Sequence, residues 1–209
     1  RQHQGMAHEL CLRSGALATL PLPRNMCSIV WTETSGEAAR VHALDDDAYM
    51  AHLRPRFGDF LGEIRLAGKR FTYPLNLTLA ESYVSDRLAL VGDAAHGVHP
   101  IAGQGLNAGF KDVGALAEVL TLARRRGEDV GRIDVLERYQ RWRRFDVATM
   151  VAATEASNAL FSNDNALLRV GRGIGLGVID AAPGLKRILM REAAGLTGEL
   201  PRLMQGRQI

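Results

Sequence analysis

Hydrophobic and polar positions along the chain switch between a period of two and a period of three to four, and the switches predict the elements. Ala16 to Leu22 and Met26 to Glu33 are runs of strand-forming residues parted by Pro23-Arg24-Asn25, which predicts a hairpin. Asp45 to Asp47 then offers a helix start, with Tyr49, Leu53 and Phe57 on its apolar face and Gly58 as its stop. Phe71, Tyr73, Leu75, Leu77 and Leu79 alternate with polar or proline positions, the period of a strand with one buried face, and Pro74 puts that strand at an edge or bulge. Leu106, Phe110, Val113, Leu116 and Leu120 share one face of a helix that ends at Arg124-Arg125-Arg126-Gly127. Val135, Tyr139, Trp142 and Phe145 mark a second helix running to about Phe161. Asn163-Asp164-Asn165 restarts the chain, Leu167, Val170, Ile174 and Val178 mark a third helix, and a last helix follows Pro183-Gly184.

Residues 87 to 118 organise the rest. Leu88 to Val91 is an unbroken apolar run, which predicts a strand covered on both faces, ending in Gly92-Asp93 where an acid meets a ligand at the strand's carboxyl end. Pro100, Gly103 and Gly105 keep the chain irregular until a helix starts near Gln104. Its first turn offers unpaired N–H groups and a partial positive charge beside glycines that admit close approach. A flat, electron-rich ligand that gains negative charge fits such a place.

Composition changes this picture little. The chain has 209 residues, a 46% hydrophobic and 23% charged share, and a net charge of +3, values of an ordinary soluble globular protein. Charge is uneven, because residues 124–209 carry 15 basic and 10 acidic side chains, a net of +5. A solvated arginine-rich face is the ordinary reading of that tail, and contact with an anionic membrane surface is the alternative. Cys11 and Cys27 lack metal-ligand spacing and read as buried reduced thiols, which fits a cytoplasmic protein. His96 and His99, three apart, have no third ligand at helical or strand spacing nearby, so no metal site is expected, and charge alone does not argue for nucleic acid.

Gly92-Asp93-Ala94-Ala95-His96, followed by His99-Pro100-Ile101-Ala102-Gly103-Gln104-Gly105-Leu106-Asn107, resembles the second flavin-binding motif of the FAD-dependent aromatic hydroxylases, the single-component flavoprotein monooxygenases. The form of the second segment is most similar to the branch that hydroxylates polyprenylated phenols in ubiquinone biosynthesis. Flanking segments, Leu20-Pro21-Leu22, Ser28 to Trp31, Tyr73-Pro74-Leu75, Phe161-Ser162-Asn163 and Leu185 to Arg191, extend the similarity over nearly the whole chain.

The resemblance implies an α+β fold: part of an antiparallel substrate-domain sheet, the last strand and helix of an FAD-binding Rossmann-like domain, and a C-terminal helical region. The expected boundaries are 1–80, 81–127 and 128–209. It implies a monooxygenase that hydroxylates an aromatic, polyprenylated substrate with O2 and NAD(P)H, the reduced flavin carrying oxygen as a peroxide at ring carbon C4a. Gly92, Asp93, Pro100, Gly103, Gly105, Leu106 and Asn107 would hold FAD, with Asp93 on the ribityl chain and Pro100 near the ring where oxygen is activated. Backbone N–H groups of Gly105 to Asn107 would face the pyrimidine edge. Trp31 and Tyr73 would line the substrate pocket, with core packing as the plainer role for such aromatics. Ala108, further into the helix, is expected to accept a leucine with little effect if it faces away from the ring. Association with the inner membrane's surface or with a multienzyme assembly is a further expectation.

The opening Gly-x-Gly-x-x-Gly turn of such hydroxylases, with an acid about twenty positions on, has no counterpart here; Gly171, Gly173, Gly175 and Gly177 have other spacing and no preceding strand. The expectation is therefore a carboxyl-terminal half, inactive alone. Two other readings stay open: another flavin-superfamily oxidoreductase, a small-aromatic hydroxylase or a reductase, and a non-catalytic interaction module.

Overall fold

The computed structural model describes residues 2–12, 15–98, 103–161, 175 and 177–209. The chain divides into two compact units, Arg1–Pro74 with Ala159–Leu168, and Leu75–Asn158 with Arg169–Ile209. Pro100, His99, Ile101, Ala102 and most of the expected third helix, including Leu167, Val170 and Ile174, lie outside the described residues.

In the first unit, β1 (His8–Leu12), β2 (Gly15–Leu22) and β3 (Met26–Trp31) form an antiparallel meander, with Leu17 opposite Leu10 and Trp31. The hairpin falls where the sequence predicts it, with Arg24 and Asn25 in the left-handed region that a tight reversal needs. After α1 (Ser35–His42), α2 (Asp46–Phe57) starts at Asp45, whose carboxylate accepts from the Ala48 N–H at 2.8 Å, and stops at Gly58, φ 73°. Leu17, Leu53 and Phe57 are buried between sheet and helix, with Ile29, Met50 and Phe60 around them. Each such side chain contributes about 1.5–3 kcal/mol.

Alternation at 71–79 does not produce the expected strand. Residues 71–77 pair with nothing among the described residues, every side chain from 71 to 79 is exposed, and only β4 (Thr78–Leu79) is a strand, set against β7 (His96–Gly97). A two-residue period states which faces a strand would have but supplies no ladder, and Pro74 has no N–H to give one.

In the second unit, β5 (Val84–Ser85) pairs with β6 (Leu88–Ala89). The expected buried strand over Leu88–Val91 is thus corrected to two residues, with Leu88 exposed, because a single pairing edge among the described residues leaves its other side open. A tight turn at Gly92–Ala94 precedes β7, and α3 (Gly105–Arg125) begins one residue after Gln104. The α3 face is also corrected. Leu106, Phe110 and Val113 are exposed, Leu106 at 70%, while Ala108, Asp112, Ala115, Val119 and Ala123 are buried at steps of four, three, four and four. Small side chains let α3 lie close to its neighbours, so the narrow stripe is the one covered. Ala108, 3% exposed, therefore faces the core.

Helix α4 (Ile133–Phe161) has the expected extent, but among its described side chains the buried ones are Val135, Leu136, Tyr139, Arg143 and Val147, with Trp142 half-buried and Phe145 79% exposed. The core joins Tyr83, Ala95, Ala115, Val119, Val135 and Tyr139. The last helix, α5 (Pro183–Ala193), follows Pro183 as predicted, and residues 195–205 return along α3 and α4. Cys27 is a free, half-buried thiol in β3. Among the described residues no helix is long and apolar enough to cross a membrane.

Candidate functional site

Gly92 sits at φ 62°, where a side chain is strained, and its backbone crosses that of Gly109 so closely that a Cβ on Gly109 would stand 3.6 Å from the Gly92 Cα. Two glycines thus seat the turn on the first turns of α3. Gly105 starts the helix on the same side, its notional Cβ 3.9 Å from Asp93 Oδ1 and 3.7 Å from Val98 Cγ2. Gln104, at the cap position, gives α3 no side-chain cap, and no acid stands in the first turn. Among the described residues the first amides of α3 have no side-chain acceptor, and they carry the positive end of the helix dipole. Asp93 is exposed beside them, and among the described residues its carboxylate takes no hydrogen bond.

Beneath this open acid lies a closed one. Asp112 and Arg143 are 0% exposed. Asp112 Oδ2 accepts from the Gly92 N–H at 2.8 Å and from His96 Nε2 at 2.6 Å; Oδ1 accepts from Arg143 Nε at 2.6 Å. Arg143 Nη1 donates to Asp146 at 2.6 Å, and Lys111 Nζ lies 3.5 Å from the same carboxylate. Burial pushes the Asp112 carboxyl up, and the bonds from His96, Arg143 and the Gly92 amide outweigh it and hold the group below its ordinary range. Tyr139 donates to the Leu90 carbonyl at 2.7 Å and is pushed well above the usual phenol range, first by burial and then by the Asp112 charge. His96 Nδ1 and Arg143 Nη2 have no partner among the described residues. Arg143 lines a cavity of about 40 Å³ with Gln104, Asn107, Lys111 and Asp146, roomy enough for ordered water.

The structure brings together Gly92, Asp93 and Gly105, and puts Leu106 and Asn107 in the same first helical turn. Gly103, exposed at φ 60°, precedes that helix. Pro100 lies outside the described residues. In the first unit, the Trp31 ring lies 5.8 Å from that of His52 and 5.1 Å from the Arg56 guanidinium, and its Nε1 donates to Glu33 at 3.0 Å. Tyr73 is 77% exposed. Asp112, Arg143 and Asp146 went unread in the sequence. Their signal is phase: Asp112 lies between Ala108 and Ala115 on the small-residue stripe, and Arg143 is four residues after Tyr139.

A glycine turn with an exposed acid beside a helix start is the kind of place a nucleotide-type cofactor needs. The chain belongs to a family described as FAD binding domain, whose model matches residues 3–154. It is 48% identical over 209 residues to the ubiquinone hydroxylase UbiL of Rhodospirillum rubrum, covering 99% of this chain and 49% of the relative. It is 39% identical over 183 residues to the 3-demethoxyubiquinol 3-hydroxylase of Escherichia coli, covering 87% and 46%. The p-nitrophenol 4-monooxygenase PnpA of Pseudomonas putida has a similar fold, with TM-score 0.64 and 20% identity over 88% of this chain and 46% of that one. The chain spans about half the length of the curated relatives it matches.

Proposed function

We propose that this chain belongs to an FAD-dependent monooxygenase that hydroxylates an aromatic ring, its substrate a polyprenylated phenol of ubiquinone biosynthesis. The observation that carries the reading is Asp93: an exposed carboxylate without a partner among the described residues, held beside the uncapped start of α3. The donor set fits FAD. A carboxylate accepts from ribityl hydroxyls, the amides of Gly105, Leu106 and Asn107 donate to an electron-rich ring edge, and the missing side chain at Gly105 leaves that edge its room. When bound, the cofactor supplies the redox chemistry, with electrons from NAD(P)H and an oxygen atom from O2.

The chain's own residues orient and shield. Asp112 holds the Gly92 amide, so the turn presents Asp93 from a fixed place. Pro100 is assigned to the wall beside the ring, and Trp31 and Tyr73 to substrate contact. In this reading residues 1–80 belong to the substrate-binding domain, 81–127 close the FAD-binding domain, and 128–209 form the helical region. The relatives' names support the substrate class: one is called a ubiquinone hydroxylase and another a 3-demethoxyubiquinol 3-hydroxylase. The test joins this chain to the part of the R. rubrum relative that it does not match, then measures flavin-to-protein ratio and product from prenylated and unprenylated phenols. The reading expects a yellow protein that hydroxylates the prenylated phenol. A colourless protein, or turnover confined to the unprenylated phenol, contradicts it.

A further inference from the structure

Asn107, Lys111, Gly114 and Glu118 follow one another on α3 at steps of four, three and four, so they share one face of the helix. Each meets the irregular segment that follows α5. A Cβ on Gly195 would stand 3.2 Å from the Asn107 Cβ, and Lys111 Nζ donates to the Thr197 carbonyl at 3.1 Å. A Cβ on Gly114 would stand 2.9 Å from the Pro201 Cβ, and Glu118 accepts from the Arg202 N–H at 2.8 Å. The contacts keep the same order in both segments, 107 to 118 and 195 to 202, so the segment lies along α3 as a strap running in the helix direction. By the helical rise the four anchors span about 16 Å of α3.

An irregular segment has no ladder to satisfy its backbone groups, and here buried side chains do so. Lys111 and Glu118, each 9% exposed, serve one strap carbonyl and one strap amide, and Trp142 Nε1 on α4 donates to the Glu199 carbonyl at 3.2 Å. The anchor at Asn107 differs from the other three in its place, because Asn107 belongs to the first turn of α3, next to Gly105 and so to Asp93. We propose that the strap positions that turn for its ligand, with Gly195 as the positioning residue. The missing side chain lets the strap close onto Asn107, and the start of α3 is held where its amides face outward. That the ligand is FAD rests on the function proposed above.

Gly195 is also fixed from its other side. It turns at φ 69° to end α5, with the Leu196 N–H donating to the Arg191 carbonyl at 2.9 Å, so it is not free to retreat from an added Cβ. Asn107 must then give by a few tenths of an ångström, and the first turn of α3 moves with it. Gly206 has the same φ of 69° and nothing within 4 Å of its notional Cβ. The two glycines therefore separate the strain of a left-handed alanine, which both share, from contact with α3, which only Gly195 makes.

The test has two arms. In the 209-residue chain, hydrogen exchange is followed at the amides of Ala108 to Lys111, which begin with the bond from Ala108 to the Gln104 carbonyl. In the chain joined to the remaining part of the R. rubrum relative, FAD is titrated by fluorescence quenching. Gly195→Ala is expected to speed that exchange about threefold or more and to weaken FAD binding about threefold or more, while Gly206→Ala leaves both within about twofold. Lys111→Met, which frees the second anchor without backbone strain, should change both in the same direction and decides the matter if Gly195→Ala does not fold. Equal effects of the two glycine variants would make the loss one of strain, and unchanged exchange would deny the strap its hold on α3; either overturns the proposal. So does faster exchange with unchanged FAD affinity. A wild-type joined protein that binds no FAD counts against the function proposed above, and the exchange arm then decides by itself whether the strap fixes the start of α3.

Discussion

Leu17, Leu53 and Phe57 close the first unit with apolar surface, whereas beneath the Gly92 turn of the second unit the buried place goes to Asp112, His96 and Arg143. The apolar cluster gains free energy in proportion to area and is indifferent to small shifts. The ionic cluster gains little net energy, because desolvation offsets attraction, but it fixes direction: one carboxylate orients a backbone amide, an imidazole and a guanidinium at once. If Asp93 serves the ligand as proposed, the turn that carries it needs the second kind of core, and Asp112 holds its Gly92 amide. On the function proposed above, the difference teaches that the exposed acid and the bound acid below it divide the work, one toward a ligand and one toward the fold.

The largest expected effect breaks the ionic side. Asp112→Ala leaves Arg143 and His96 buried without their partner and should destabilise the chain by about 3–5 kcal/mol, read from urea unfolding. Leu53→Ala strikes the apolar side and should cost about 2–4 kcal/mol, a cavity effect that alters no titration. Because the folded-state pKa of Asp112 lies below its unfolded value of about 3.9, its contribution is complete above that pH and is lost as the pH falls through the folded value. Unfolding at pH 7, 4 and 2.5 should therefore show an acid loss in wild type that is reduced in Asp112→Asn, while Leu53→Ala keeps the wild-type acid loss. A smaller effect separates the two faces of α3: Ala108→Leu should cost about 1–3 kcal/mol by overpacking, and Phe110→Ala, exposed, should stay within about 0.5 kcal/mol.

These two cores were not equally legible. The hairpin at Pro23-Arg24-Asn25, α2 between Asp45 and Gly58, and the start of α3 at Gln104 all followed from local signals, because caps, turns and breakers act within a few residues. The glycine turn and its acid could be read through the motif. The strand over 71–79 could not, since alternation does not disclose a partner, and the α3 face was assigned to Leu106, Phe110 and Val113 because size was taken for burial. Close packing selected Ala108, Ala115 and Ala123 instead, and an acid at the phase of that stripe was the trace of the buried network.

The most direct test of this division is Asp93→Ala in the chain joined to the remaining part of the R. rubrum relative, with FAD titrated by fluorescence quenching and the apoprotein melted in parallel. Loss of charge-assisted bonds to the ligand predicts an FAD affinity lower by roughly tenfold to a hundredfold, with apoprotein stability within about 0.5 kcal/mol of wild type. Unchanged FAD affinity together with a large fall in apoprotein stability would contradict the account and make Asp93 a part of the fold.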